Sequence, residues 1–173
     1  ETVDYSGKNK EQLLAIFETL LRTKPVQTIR ADVEAIKIAF YKNYRNEVDQ
    51  LRKLFVESGG NSEDFVPPAN EAEQQFKTLF AEYREKRNEF IARLDAEKEA
   101  NYQTKLQIIE ELKELVNSNE TLNQTFNTFR ELQQRWKETG LVQQSVMKDL
   151  WETYNLHVEN FYNFIKINKE LRD

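Results

Sequence analysis

The chain has 173 residues, 32% of them charged, with a formal net charge of -5, no cysteine, one histidine, four glycines and three prolines. The missing cysteines exclude disulfides, thiolate zinc sites and cysteine nucleophiles, and the mixed-sign, net acidic charge creates no bulk positive field to draw a polyanion. Good helix formers dominate, and glycine and proline are too few for a sheet with many tight turns, so the prior is all-α, as one domain or two small ones.

The opening ETVDYSGKNK is polar and has no apolar signal-peptide core, and no run approaches the ~20 apolar residues needed to span a bilayer. A cytoplasmic protein without membrane attachment is the expectation. Asn9 or a neighbour opens a first helix, whose Leu13, Leu14, Phe17, Leu20 and Leu21 keep the helical period up to Pro25. A second stripe, Ile29, Val33, Ile36, Phe40, Tyr44, Val48, Leu51, Leu54 and Phe55, predicts a helix of about thirty residues ended by Gly59-Gly60. The turn-forming stretch GGNSEDFVPP reads as an inserted loop over 59–69 whose Phe65 and Val66 fold back as anchors.

Asn70 with Glu73 three residues on has the pattern of an N-cap and capping box. No glycine or proline follows before Val116. Phe76, Leu79, Phe80, Tyr83, Phe90 and Leu94 form one stripe and Leu106, Ile109, Leu112 and Val116 another, separated by the polar run DAEKEAN. Helices that are polar all round often bridge two packed regions through solvent. The expectation is one continuous shared helix over 70–116, with a break near Asn101 as the alternative. After Asn117-Ser118-Asn119 a further helix carries Leu122, Phe126, Phe129, Leu132 and Trp136 up to Gly140, which reads as the left-handed residue past a helix end. The last helix runs from Ser145 to about Leu171, with Met147, Leu150, Trp151, Tyr154, Phe161, Ile165 and Leu171 inward.

The two halves resemble one another. Val33, Ile36 and Phe40 match Phe129, Leu132 and Trp136, and Phe76, Leu79, Phe80, Tyr83 and Phe90 match Met147, Leu150, Trp151, Tyr154 and Phe161. The predicted architecture is elongated and all-α: a first three-helix unit over 8–96, a second over 97–173, and the long helix common to both. EKEAN at 97–101 aligns with NKELR at 168–172, where a third unit would begin, so a piece of a longer array is expected.

FRELQQRWKETG followed by DLWETYNLHVENFYNFI resembles the bacterial "domain of unknown function 349" family, tandem helical repeats built around F-x-x-L-x-x-x-W-K-x-x-G and a following L-W-x-x-[FY]. The second unit fits from about Lys105 to Leu171. The first is degenerate, with Phe40 for the tryptophan and Tyr44 for the glycine, and GLVQ departs from the G-P-V-P that members often carry. The resemblance implies a helical repeat and brings no reaction or catalytic residues.

Phe129, Leu132, Trp136, Gly140, Leu150, Trp151, Tyr154 and Phe161 form the core signature, because Trp136 and Trp151 fall in helical register with apolar neighbours and buried aromatics dominate small helical cores. His157 has no G-x-S-x-G elbow to serve, and Glu152, His157 and Glu159 lack the Glu-x-x-His spacing of di-iron bundles. No phosphate-binding glycine loop is present. No catalytic residue, metal site or cofactor is therefore expected. Arg84, Lys86, Arg87 and Arg93 cluster on the third helix, and Arg130, Arg135 and Lys137 on the next, where they could contact the phosphates of RNA. Interspersed Glu82, Glu85, Glu89, Glu131 and Glu138 favour charge pairing instead. The leading expectation is a non-enzymatic scaffold binding another, unidentified protein, with an RNA-binding module as the alternative.

Overall fold

The computed structural model describes residues 4–172, with side chains described as far as Lys169, so the inward placement expected of Leu171 lies outside the described residues. Among the described residues the regular structure is five α-helices and two 3-10 turns, with no strand, and the all-α expectation holds. The helices are α1 (Lys10–Thr23), α2 (Arg30–Glu57), α3 (Glu71–Leu115), α4 (Leu122–Glu138) and α5 (Gln144–Arg172). The chain divides into two compact units, Glu1–Ile91 (unit 1) and Ala92–Asp173 (unit 2), so the boundary falls inside α3.

In unit 1, Asn9 caps α1 through a capping box with Gln12, satisfying backbone N–H groups that an α-helix leaves unpaired at its start. Leu13, Phe17, Val33, Ile36, Phe40, Phe76 and Tyr83 make the core. Phe76 is its centre, stacked on Phe40 at 4.7 Å and tilted against Phe17 at 5.6 Å. The expected α2 stripe is buried only in its first half: Leu51 is 40% and Leu54 61% exposed. The reason is the level at which the other helices begin. Lys10, the first residue of α1, already pairs with Glu47 at 3.1 Å, so the last turns of α2 pass beyond α1. The 59–69 loop returns to them, through Phe65 against Phe55 at 5.6 Å. Val66 is 80% exposed, contrary to the anchoring expected of it.

Gly59 adopts φ +100, the left-handed conformation open to glycine. Its N–H reaches Val56 O, and the N–H of Gly60 reaches Phe55 O at 3.0 Å, the two bonds of a Schellman ending. At the start of α3, Asn70 Oδ1 accepts from the N–H of Glu73 at 3.1 Å, while the Glu73 carboxylate is drawn to Lys77 at 3.3 Å.

Unit 2 closes Ile108, Ile109, Leu112 and Leu115 of α3 against Phe129, Leu132 and Trp136 of α4 and Leu150, Tyr154 and Phe161 of α5. Phe129 stacks on Phe161 at 4.1 Å and Trp136 on Tyr154 at 3.8 Å. Thr121 caps α4 in a capping box with Gln124, and the buried Thr125 hydroxyl donates to Thr121 O at 2.9 Å.

Gly140 does not take the left-handed conformation expected of it; among the described residues Gly59 alone has a positive φ. α4 ends instead on Thr139 in an extended conformation, φ -70 and ψ 132. What Gly140 supplies is space: a Cβ there would lie 2.9 Å from Asn101 Nδ2, which donates to Leu141 O at 2.8 Å. Asn101 lies within α3. Asp95 accepts from Gln143 Nε2 at 3.2 Å, so two residues of the polar DAEKEAN run hold the α4–α5 loop rather than simply facing solvent.

The ring stacks offer one structural way of matching the halves. Phe40 stacks on Phe76, and Trp136 on Tyr154. Matched on these two pairs, Phe76 takes the position of Tyr154, seven residues before the Tyr83 that the sequence match places there. Apolar residues recurring every seven positions, as Phe76, Tyr83 and Phe90 do, leave a two-turn slip undetermined in sequence.

Candidate functional site

α5 carries apolar side chains that its core does not absorb. Leu150, Tyr154 and Phe161 are buried, whereas Trp151, about 100° around the helix from Leu150, is 54% exposed and Met147 45% exposed. Both were expected inward. The buried face of α5 is centred between Leu150, Tyr154 and Phe161, and Trp151 falls on its flank.

That flank is one wall of an open groove of about 610 Å³. Lys105 of α3, Trp136 of α4 and Val142 of the α4–α5 loop line one part of it; Gln144, Met147, Lys148, Leu150 and Trp151 of α5 line the rest. Trp136 is rigidly held. Tyr154 stacks on it at 3.8 Å and Trp151 lies at 6.4 Å, while the Lys105 ammonium sits 4.6 Å from its ring centroid, a cation–π contact. Burial pulls the Lys105 ammonium below the ordinary lysine pKa and pushes the Tyr154 phenol above the usual tyrosine value, the latter with a smaller contribution from Tyr162.

Among the described residues no carboxylate pairs with Lys105 or Lys148. No carboxylate, imidazole or hydroxyl side chain is among those lining the groove. Its lining offers aromatic faces and a thioether, which suit apolar or aromatic groups, and two ammonium groups, which suit anions.

Two further grooves have different linings. One in unit 1 contains Glu11, Glu18 and Glu82 with Arg22, whose Nη1 lies 2.6 Å from Glu82 and holds that carboxyl below its ordinary pKa. Another in unit 2 contains Glu110, Lys113, Asp149 and His157. Among the described residues no three His, Cys, Asp or Glu side chains are grouped to hold a metal ion, and no helix is long and apolar enough to cross a membrane.

Six of the eight signature residues, Phe129, Leu132, Trp136, Leu150, Tyr154 and Phe161, are buried together. Gly140 and Trp151 are exposed. The cations proposed for RNA are divided between the units, with Arg84, Lys86 and Arg87 in unit 1 and Arg93, Arg130, Arg135 and Lys137 in unit 2. Several are engaged within the fold. Lys86 donates to Leu21 O at 3.1 Å, Arg135 pairs with Glu111 at 2.9 Å, Arg130 lies over Phe126 at 4.6 Å and Arg84 lies 6.0 Å from the Phe80 ring centroid. Arg87, Arg93 and Lys137 are exposed.

Sequence reasoning missed Lys105 and Val142. Neither carries a local signal, since a lysine over a tryptophan and a valine in a loop are placed only by the assembled helices. Trp151 could have been found by centring the α5 wheel on Leu150, Tyr154 and Phe161, which leaves Trp151 at the margin.

Residues 71–145 match the family described as Domain of Unknown Function (DUF349), which supports the resemblance read from FRELQQRWKETG. The match begins well before Lys105 and stops ahead of DLWETYNLHVENFYNFI. No curated protein and no solved structure matches the chain.

Proposed function

Taking residues 71–145 as a DUF349 segment, we propose that this protein is a non-enzymatic helical module of the cytoplasm that binds another protein, with the partner seated in the groove around Trp151. One observation carries the reading: Trp151 and Met147 stand exposed over a wall already built from Trp136, Val142 and Leu150. A tryptophan beside other apolar groups in a concave site is the composition of an interface anchor point, because burying its ring releases a large apolar area without ordering many torsions.

The test is a photo-crosslinking residue at position 147, introduced in the organism that makes the protein. A protein adduct of defined mass is expected, and Trp151→Glu should abolish it. Adducts that disappear on ribonuclease digestion, or the same adducts in the Trp151→Glu variant, would overturn the proposal.

A further inference from the structure

Resting on the protein-binding reading above, we infer that the groove takes an acidic amphipathic peptide segment, an aromatic or aliphatic anchor set against Trp151 and Met147 with flanking carboxylates reaching Lys105 and Lys148.

Charge complementarity carries the inference. The chain is net acidic, at -5, yet the lining of this groove contains two lysines and no acid. The unit 1 groove has three glutamates against one arginine, and the second unit 2 groove mixes both signs. Nor, among the described residues, does either lysine pair with a carboxylate. Lys105 is held over the Trp136 face at 4.6 Å, and burial disfavours its charge. An incoming carboxylate would return to that ammonium the stabilisation that desolvation removes. A second carboxylate would meet Lys148, which lines the same groove from α5, and such charge contacts set orientation and selectivity more than raw affinity.

A single-stranded nucleic acid also combines rings with negative charge, but it requires a track of cations along its backbone. Here the ammonium groups number two, and the nearby Arg135 is tied to Glu111 at 2.9 Å. Two lysines among an otherwise largely apolar lining match a short peptide better than a phosphate chain.

The experiment selects a displayed library of random peptides of about twelve residues against the full chain, with the Trp151→Glu variant as counter-selection. The best synthetic peptide and a dodecauridylate are then titrated by tryptophan fluorescence. The expected result is a set of peptides with one aromatic or aliphatic anchor flanked by Asp or Glu. Their Kd should rise about tenfold in Lys105→Gln/Lys148→Gln and should also rise with salt, since peripheral charge contacts are screened. Selected peptides that are neutral or basic, yet still need Trp151, would overturn the acidic preference and leave the protein-binding reading standing. A library with no Trp151-dependent binder would overturn both. Tighter binding of the oligonucleotide than of any peptide would replace both with a nucleic-acid site. Circular dichroism of each variant, with the replaced side chains on the groove surface, establishes that loss of binding is not loss of fold.

Discussion

Replacing Gly140 by alanine, alone and together with Asn101→Ala, tests how the α4–α5 loop is held. Gly140 has no positive φ, so alanine strains no backbone there. By restricting the unfolded chain it should stabilise by about 0.4–1 kcal/mol. Its Cβ, however, meets Asn101 Nδ2 at 2.9 Å. That atom ends a flexible side chain and can swing away, but doing so breaks its 2.8 Å hydrogen bond to Leu141 O, a loss of about 0.5–1.5 kcal/mol. Gly140→Ala alone should therefore be close to neutral or destabilise by up to about 1 kcal/mol. In the Asn101→Ala background the bond is already gone, and the same substitution should stabilise by about 0.4–1 kcal/mol. The coupling between the two sites is then about 0.5–1.5 kcal/mol. Urea unfolding followed by tryptophan fluorescence reads it directly, because Trp136 and Trp151, the chain's two tryptophans, both lie in unit 2. A left-handed helix-ending glycine would behave otherwise: alanine would cost roughly 1–2 kcal/mol in both backgrounds. Destabilisation of that size in the Asn101→Ala background refutes the close-approach account.

Phe161→Ala removes a fully buried ring stacked at 4.1 Å on Phe129 and should lower the stability of unit 2 by about 3–5 kcal/mol, as should Trp136→Ala, measured by the same urea titration or, for the tryptophan variant, by circular dichroism. Trp151→Ala, by contrast, should cost about 0.5–1 kcal/mol, since the ring is mostly in water. The Tyr5 phenol is pushed up to about 12 by burial and then by its 2.7 Å hydrogen bond to Asp32. A raised folded-state pKa means stability present in full below the unfolded value near 10 and lost as pH rises towards 12. Tyr5→Phe should accordingly lose less stability than wild type between pH 10 and 12, measured by denaturant titrations at intervals across that range.

The parts legible in sequence are those decided by local period. Leu13, Phe17, Val33, Ile36 and Phe40, and again Phe129, Leu132 and Trp136, are spaced for one helix face and are buried on it. Helix starts at Asn9 and Asn70 follow from side chains that can accept from the first free N–H groups. What the sequence could not disclose is where a stripe loses its partner. Leu51 and Leu54 carry the same period as Val33 and Ile36, but their burial depends on where α1 begins, a fact external to α2. The glycines show the same limit: Gly59 and Gly140 both follow helices, and only the hydrogen bonds and neighbours of the folded chain distinguish a left-handed ending from a close approach to Asn101. The groove was illegible because it joins Lys105, Trp136 and Trp151 across three helices.

Matched on one ring stack in each, the two units differ around that groove. Aligned on Phe40–Phe76 and Trp136–Tyr154, Trp151 corresponds to Glu73, each three residues before the stacked ring. Glu73 is engaged with Lys77 at 3.3 Å and raises the pKa of the Tyr44 phenol as its hydrogen-bond acceptor. Met147, seven residues before Tyr154, corresponds to Ala69, which precedes the first residue of α3. Under that match unit 1 has an ion-paired carboxylate where unit 2 has an indole, and a residue ahead of the helix where unit 2 has a thioether. Leaving an indole about half in water forgoes burial worth roughly 25 cal/mol per Å² of apolar surface. The Trp151→Glu variant puts unit 1's own solution into unit 2: the fold should persist, and the groove should fall silent.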